Sequence, residues 1–188
     1  MLERLKQGLD YARYRRAQIR QSKAKRDKDA SFRIEPFAQL IKGRCSDLGP
    51  SARILCVGAR NEVEVRILEG HGFKDVTAID LWSRSPRIAV MDMHALRFPD
   101  ASFDLVFASH VFEHAWDFDR VAGECVRVLR PGGYIFCAVP TNFPLNDHDR
   151  YDFKDAAGLL KHFAAWRVTV LNEQMRLNEL LLLFRVER

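Results

Sequence analysis

Short, almost continuous apolar segments alternate with amphipathic segments along most of this chain. The apolar segments predict seven β-strands, over residues 53–58, 76–80, 88–92, 104–109, 134–139, 166–171 and 179–186. Apolar positions at helical spacing between them predict crossover helices, the clearest with the face Val121, Cys125, Val128 and Leu129. Apolar strands that alternate with helices are typical of a parallel sheet covered on both faces. The pattern therefore predicts an α/β fold with a single doubly wound sheet.

Capping and turn residues predict where several of these elements begin and end. Asn61 and Asp117 each precede an amphipathic segment and are suited to cap its helix. Asp155, together with Asp152, is suited to begin a further helix that runs to Phe163. A turn is expected at Arg130-Pro-Gly-Gly133, and the polar stretch between the last two strands predicts a linker.

The first 28 residues carry most of the positive charge. They hold ten lysine and arginine residues against three acids, whereas the whole chain holds 30 against 25. Leu2, Leu5 and Leu9 are spaced as one narrow apolar stripe of a helix. We therefore divide the chain into a basic N-terminal helix or arm, residues 1–30, and a globular domain, residues 31–188. The arm is either a solvated helix packed on the domain or an arm that contacts RNA or phosphate.

Length and composition narrow the class of protein. A chain of 188 residues with 47% hydrophobic and 29% charged residues has the size and composition of one globular domain. No apolar run approaches the roughly 18 residues of a membrane span. The charged N-terminus lacks the apolar core of a signal peptide, so we expect a cytoplasmic protein. The four cysteines have no Cys-x-x-Cys spacing, which argues against a zinc ribbon.

Small and polar residues follow the predicted strands, and ligands of a parallel sheet bind beyond these carboxyl ends. The first strand ends in Gly58, which allows a tight turn, and Ala59 is small enough for a ligand to approach closely. Glu62, in the first turn of the next helix, would repel a phosphate group. Asp80 ends the second strand, where a carboxylate can accept hydrogen bonds from both hydroxyls of a ribose. Together these residues favour a nucleoside ligand that carries no phosphate.

The order of the strand-end segments resembles the class I S-adenosylmethionine-dependent methyltransferases, more narrowly their small type 11 branch. The segments that carry the resemblance are Gly58-Ala-Arg-Asn, Ala78-Ile-Asp80-Leu, Met91-Asp-Met-His94, Phe98-Pro-Asp-Ala-Ser-Phe-Asp104, Ser109-His110-Val-Phe-Glu113-His114 and Arg127-Val-Leu-Arg-Pro-Gly-Gly133. The resemblance covers about residues 50–186. It implies a Rossmann-like sheet of seven strands, six of them parallel and a final one antiparallel. It also implies S-adenosylmethionine as cofactor, whose sulfonium and ammonium groups suit an acidic loop.

The resemblance implies a set of cofactor-binding residues. They are Gly58, Ala59, Arg60, Asp80, Leu81, Asp92, Met93, His94, Ser109 and His110. Asp80 would hold the ribose, and Asp92 and Met93 would lie near the adenine. Arg60 is either a partner of the cofactor's carboxylate or an exposed arginine at the start of a helix. The glycine-rich turn of the family is reduced here to the single glycine Gly58.

Methyl transfer requires alignment of acceptor and methyl group and at most the removal of one proton, so no nucleophile motif is expected. The candidate catalytic residues are His110 and, in the loop after the fifth strand, His148. His110 and His114 flank Glu113 at a spacing that would point both imidazoles one way on a helical turn. Some methyltransferases hold a divalent metal with such a Glu-His pair, but the further upstream glutamate of that group is missing, and we assign no metal.

The sequence thus predicts an S-adenosylmethionine-dependent methyltransferase that methylates oxygen or nitrogen of a small polar metabolite or sugar. The alternative is an inactive binding or assembly factor that contacts RNA or a protein through its basic arm. A nicotinamide dehydrogenase is disfavoured, because phosphate-binding glycines and a second domain are missing. We expect the acceptor pocket to be built from the N-terminal helix and the loops Thr141–Tyr151 and Trp82–Pro86. The leucine stripe of that helix is expected to fold over the mouth of the cofactor site.

Overall fold

A seven-stranded sheet forms the centre of the computed structural model, which describes residues 2–187 and side chains from residue 7 onward. The strands are β1 Arg53–Val57, β2 Asp75–Asp80, β3 Ile88–Val90, β4 Phe103–Ser109, β5 Leu129–Pro140, β6 Arg167–Arg176 and β7 Glu179–Glu187. Their order across the sheet is β3-β2-β1-β4-β5-β7-β6. β7 is antiparallel to both of its neighbours, and every other neighbouring pair is parallel. The predicted α/β class, the doubly wound Rossmann-like sheet and its antiparallel final strand are confirmed.

Helices cover both faces of this sheet. Helices α2 (Ser31–Arg44) and α3 (Val63–Gly70) lie on one face, and α4 (Phe118–Val128) and α5 (Ala156–Leu160) lie on the other. Phe37 of α2 packs on Phe136 of β5 with ring centroids 5.0 Å apart. β4 and β5 are buried between the two helical layers, which explains why they were readable as continuous apolar runs.

Two strand boundaries differ from the sequence-based expectation. β5 begins at Leu129, so the segment expected to turn at Arg130–Gly133 is already strand. β6 extends to Arg176 and joins β7 through a tight turn at residues 177–178, where a polar linker was expected. β6 is an edge strand with mostly exposed side chains, and its polar residues therefore carry little of the apolar pattern that marks buried strands.

The predicted helix caps are borne out at two of three places. The Asp117 side chain accepts from the Arg120 N–H at 3.1 Å, and the Asp155 side chain accepts from the Gly158 N–H at 2.7 Å. Asn61 lies one residue before the N-cap, which is Glu62, but its Oδ1 still accepts from the Val63 N–H of the first helical turn at 3.2 Å. Its amide nitrogen donates to the backbone carbonyls of Arg26 and Lys28, at 3.2 and 3.0 Å. Asn61 thereby ties the segment that follows the first helix to the glycine turn.

The N-terminal helix α1 (Leu2–Ala24) lies across the carboxyl ends of the strands, as expected, but through other residues. Tyr14 and Gln18 are buried, whereas Leu9 is 65% exposed; the side chains of Leu2 and Leu5 lie outside the described residues. The surface under α1 combines the rings of His94 and Trp116 with carboxylates and backbone carbonyls. Tyrosine and glutamine can pack on the rings and donate to the oxygen atoms, which leucine cannot. No helix in the described part of the chain has the length and apolar character needed to cross a membrane.

Candidate active site

Two cavities open at the carboxyl edge of the sheet, on either side of the junction between β1 and β4. We call the first the acidic pocket; it lies at the ends of β2 and β3, contains Asp80 and Asp92, and has a volume of about 50 Å³. We call the second the basic cleft; it contains Lys25, Lys28 and Arg33 and has a volume of about 320 Å³. Four residues line both cavities: Gly58, Arg60, His110 and His114. The two cavities therefore meet where the strand order reverses, which is where doubly wound sheets bind their ligands.

Asp80 is the deepest charged group of the acidic pocket. It ends β2 and is only 8% exposed. One carboxylate oxygen, Oδ1, accepts from the Trp82 N–H at 2.9 Å and from the Ser22 hydroxyl of α1 at 3.3 Å. Burial raises the pKa of Asp80, while the Trp82 hydrogen bond acts in the opposite direction. The other oxygen is available to a ligand in the pocket.

Asp92 is held in its ionised form by His94, by Tyr11 and by Arg15, whose Nε lies 3.2 Å from Oδ2. The His94 Nε2 accepts from the Trp116 N–H at 3.0 Å, so its Nδ1 carries the proton and donates to Asp92 Oδ1 at 2.7 Å. The Tyr11 hydroxyl of α1 donates to Asp92 Oδ2 at 2.6 Å. Burial alone would raise the pKa of Asp92, but the His94 and Tyr11 hydrogen bonds outweigh it and lower the pKa to about 2. His94 is thus a support for Asp92 as much as a wall of the pocket.

The single glycine of the first turn is required by its geometry. Gly58 has φ +80°, and a Cβ at this position would lie 2.5 Å from Cγ2 of Val111. Both the left-handed backbone and the contact exclude a side chain. Ala59, also assigned to the cofactor by the resemblance, is buried and lines neither cavity.

Of the two glutamates that follow the glycine turn, Glu64 and not Glu62 lines one of the two cavities. Glu62 turns away to the loop after β2, where it accepts from the Ser85 hydroxyl at 2.5 Å and lies 3.4 Å from Arg87. Glu64, two residues further along the chain, points to a different side and lines the basic cleft, and its Oε2 is buried without a hydrogen-bond partner. Burial raises the pKa of Glu64 to about 7.

His110 lies at the end of β4, between the two cavities. Its φ of +51° is unusual for a residue with a side chain, and such backbone strain is concentrated at functional sites. Its Nε2 lies 2.6 Å from Oε1 of Glu179, and this bond lowers the pKa of Glu179. An ionised Glu179 requires a protonated Nε2, which leaves Nδ1 of His110 free to accept a proton. Arg33 Nη1 lies 3.1 Å from the same Nε2.

The two histidines that flank Glu113 do not point one way. The residues Phe112–His114 form a 3₁₀ turn, and the backbone of His110 is left-handed. His114 Nδ1 turns to Asp149 at 2.8 Å, whereas His110 turns to Glu179. Burial lowers the pKa of His114, but the hydrogen bond to Asp149 outweighs it and the pKa is raised. No group of His, Cys, Asp and Glu among the described residues is arranged to hold a metal ion.

The predicted site residues divide between the cavities. The acidic pocket is lined by Gly58, Arg60, Asp80, Leu81, Asp92, Met93, His94 and His110. Ser109 lines the basic cleft. His148 lines neither cavity, and its backbone carbonyl accepts from the Gln18 amide at 2.8 Å.

Sequence reasoning missed five residues that contact or line the site: Tyr11, Tyr14, Arg33, Glu64 and Glu179. Three of them, Tyr11, Tyr14 and Arg33, lie on helices outside the strand-end segments. Glu64 lies on α3, on the side that faces the cleft. Glu179 begins the antiparallel strand β7, whose amino end meets the carboxyl end of its neighbour β5. A helical plot of α1 would have found the tyrosines, since Tyr11, Tyr14 and Gln18 follow helical spacing.

The amino-acid sequence is similar to those of known methyltransferases. Residues 55–137 match the type 11 methyltransferase family model, described as a methyltransferase domain. A probable S-adenosylmethionine-dependent methyltransferase of Mycobacterium tuberculosis is 36% identical over 99 residues, which cover 44% of this chain and 36% of that protein. A 2-methyl-6-phytyl-1,4-hydroquinone methyltransferase of Synechocystis is 32% identical over 119 residues, which cover 58% of this chain and 37% of that protein. The chain therefore spans little more than a third of the length of these two relatives.

The fold has close counterparts among solved structures. A Burkholderia thailandensis 1,6-didemethyltoxoflavin-N1-methyltransferase, solved with S-adenosylhomocysteine, superposes with a TM-score of 0.70 at 18% identity. That superposition covers 95% of this chain and 89% of the other. The family match over residues 55–137 and the order of the strand ends support the resemblance to the class I S-adenosylmethionine-dependent methyltransferases of the type 11 branch. S-adenosylmethionine is the cofactor of that class.

Proposed function

We propose that the protein transfers the methyl group of S-adenosylmethionine to an oxygen or nitrogen atom of a small polar acceptor. One observation carries the proposal: Asp80 and Asp92 flank a pocket that meets, at Gly58 and His110, a second and larger cleft. In-line transfer needs a cofactor and an acceptor approaching the same point from opposite sides. Two cavities that meet at one histidine provide such a point.

The residues of the acidic pocket fit the cofactor. The free oxygen of Asp80 would accept from a ribose hydroxyl, Asp92 would accept from the adenine amino group, and Leu81 and Met93 would flank the ring. Gly58 makes the left-handed turn beside Val111 that a side chain would prevent. The unpartnered Glu64 Oε2, in the adjoining basic cleft, suits the cofactor's ammonium group. When bound, the cofactor supplies an electrophilic methyl group on its sulfonium.

The chain's own contribution to the chemistry centres on His110. Glu179 binds Nε2 and orients the ring, so Nδ1 would accept the proton that the acceptor loses. The buried Glu113, 3.9 Å from Nδ1, would stabilise the imidazolium that forms. His148 lies outside both cavities, and we propose no step for it.

The two parts of the chain have different proposed roles. Residues 31–188 would form the catalytic domain. The arm, residues 1–30, would cover the site at the carboxyl ends of the strands. The alternative of an inactive factor that contacts RNA through the arm is not favoured, because the arm directs Tyr11, Tyr14 and Ser22 into the site.

Calorimetric titration of the full chain with S-adenosylmethionine, S-adenosylhomocysteine and NAD tests the proposal. We expect saturable binding of the first two and none of NAD. Incubation with methyl-labelled cofactor and separate pools of small metabolites and RNA should then place the label in a small molecule. Label in RNA alone, or cofactor binding without any transfer, would contradict the proposed enzyme and support the assembly factor.

A further inference from the structure

We propose that the basic cleft is a binding site for an anionic group of the acceptor, a carboxylate or a phosphate close to the atom that is methylated. This inference rests on the proposed function and names the acceptor's chemical class. It commits to recognition by Lys25, Lys28 and Arg33.

Four cations line the cleft without a carboxylate partner. Lys25, Lys28, Arg33 and Arg60 all belong to its wall. Among the described residues, none of the four lies within 4.0 Å of a carboxylate oxygen, and the Nε atoms of Arg33 and Arg60 are buried without any hydrogen-bond partner. Lys25 and Lys28 are exposed at the rim, whereas Arg33 and Arg60 are half-buried, and half-buried charges are normally paired. The two arginines therefore lack an ion-pair partner in the cleft.

The acids of the same cleft do not supply that partner. Asp149 is bound to His114 at 2.8 Å. Glu113 is fully buried and faces His110 and His114, each at 3.9 Å. Burial raises the pKa of Glu64 to about 7, so near neutral pH this group carries only part of a charge. The four cations of the cleft therefore outnumber its three acids, of which two are directed to histidines.

The backbone near Lys28 and the side chain of Arg33 are fixed by contacts with the domain. The Asn61 amide donates to the backbone carbonyls of Arg26 and Lys28. Arg33 stands in α2, with its guanidinium 3.1 Å from His110. Burial, followed by repulsion from Arg60 and Lys28, lowers the pKa of Lys25, as expected for ammonium groups kept close together. Such pre-organised cations bind an anion at little further cost in side-chain ordering.

The cofactor does not neutralise this cluster. S-adenosylmethionine brings one carboxylate but also a sulfonium and an ammonium, so its binding adds positive charge to the site as a whole. One of the four cations can pair with the cofactor's carboxylate. Arg60 lines both cavities and is therefore in position to do so. Lys25, Lys28 and Arg33 are left for the acceptor, and Arg33 would hold its anionic group beside the proposed base His110.

Titration of the full chain, saturated with S-adenosylhomocysteine, with succinate and with inorganic phosphate tests the inference by calorimetry. Succinate reports a carboxylate and phosphate reports a phosphoryl group, so the preferred probe identifies the source of the anion. We expect saturable binding of at least one, weakened about tenfold to a hundredfold by Arg33→Gln, because a charge-assisted hydrogen bond in a confined site is lost. Arg44→Gln on the exposed end of the same helix is the matched control and should leave binding unchanged.

The outcomes separate the two proposals. Absence of saturable anion binding, or binding that Arg33→Gln leaves as it was, overturns the inference while cofactor binding and methyl transfer stand. A labelled product that is not retained on an anion exchanger overturns it in the same way. If S-adenosylhomocysteine itself does not bind, the proposed function fails, and the same titration of the unloaded chain still decides whether the cleft binds anions.

Discussion

The acidic pocket and the basic cleft share one edge of one sheet and four wall residues, yet they differ in charge, volume and cover. In the acidic pocket, side chains of α1 reach Asp80 and Asp92 and leave about 50 Å³. In the basic cleft, about 320 Å³ is left between cations that have no carboxylate partner. Opposite charges thus lie on the two sides of the β1–β4 junction. A cationic cofactor and an anionic acceptor would be sorted to their own sides by the field before any specific contact forms.

The largest effect on turnover is expected at His110, which lies where the two cavities meet. His110→Gln keeps an amide that can reach Glu179 but removes the proposed base, so turnover should fall by roughly 10²–10⁴-fold. Cofactor affinity, measured by calorimetry, should change far less. His71→Gln, at the end of α3, is the control and should retain full turnover. Full turnover in the His110 variant would mean that the acceptor needs no base.

The buried acid of the cleft should couple stability to pH. Because burial raises the folded-state pKa of Glu64 to about 7, its favourable contribution is present below its ordinary pKa and is lost as pH rises through about 7, with an upper limit of about 3 kcal/mol. Glu64→Gln should therefore gain stability relative to the native chain as pH rises from about 5 to about 8. Thermal unfolding at both pH values measures this.

Glu62→Gln provides the contrast for that experiment. The Ser85 hydrogen bond lowers the pKa of Glu62, so this variant should show no gain in relative stability as pH rises. Equal behaviour of the two variants would show that Glu64 is not buried in the way described.

Cofactor affinity should fall when Asp80, the deepest carboxylate of the acidic pocket, is removed. Asp80→Ala would leave the ribose hydroxyls without a charged acceptor, at a cost of about 1.5–3 kcal/mol in cofactor affinity. Asp75→Ala, at the exposed amino end of the same strand, should have no such effect. Unchanged affinity of the Asp80 variant for S-adenosylhomocysteine would remove Asp80 from the site.

The smallest effect on cofactor affinity is expected at Tyr11, through which α1 contacts the acidic pocket. The Tyr11 hydroxyl occupies Asp92 Oδ2, the oxygen that the adenine amino group would need. Tyr11→Phe should therefore strengthen cofactor binding, by about 0.5–1.5 kcal/mol for the hydrogen bond that no longer competes. Tyr14→Phe is the matched control, because its hydroxyl donates to the backbone carbonyl of His114 and not to an acid. Weaker binding in the Tyr11 variant would show that α1 closes over the bound cofactor instead of competing with it.

Several motif residues that carried the family resemblance have structural and not ligand-binding roles. Arg127 donates to the carbonyls of Leu96 and Phe98, and Asp104 binds Arg130. These contacts fix the loop before β4 and the start of β5. The resemblance was therefore informative about the fold for a physical reason: buried backbone groups at those places need the same partners whatever the acceptor is.

What the sequence determined by itself was the sheet and the row of strand ends. Buried strands need continuous apolar residues, and residues that follow parallel strands necessarily meet at one edge, so Gly58, Asp80, Asp92 and His110 were predictable from local pattern and order. Only the tertiary structure decided which helix face covers that edge and that Glu64 rather than Glu62 turns inward. It also decided that Glu179, on the antiparallel strand β7, reaches His110 across β5. These features depend on side-chain direction and on contacts between segments distant in the chain, and neither leaves a local periodic signal in the sequence.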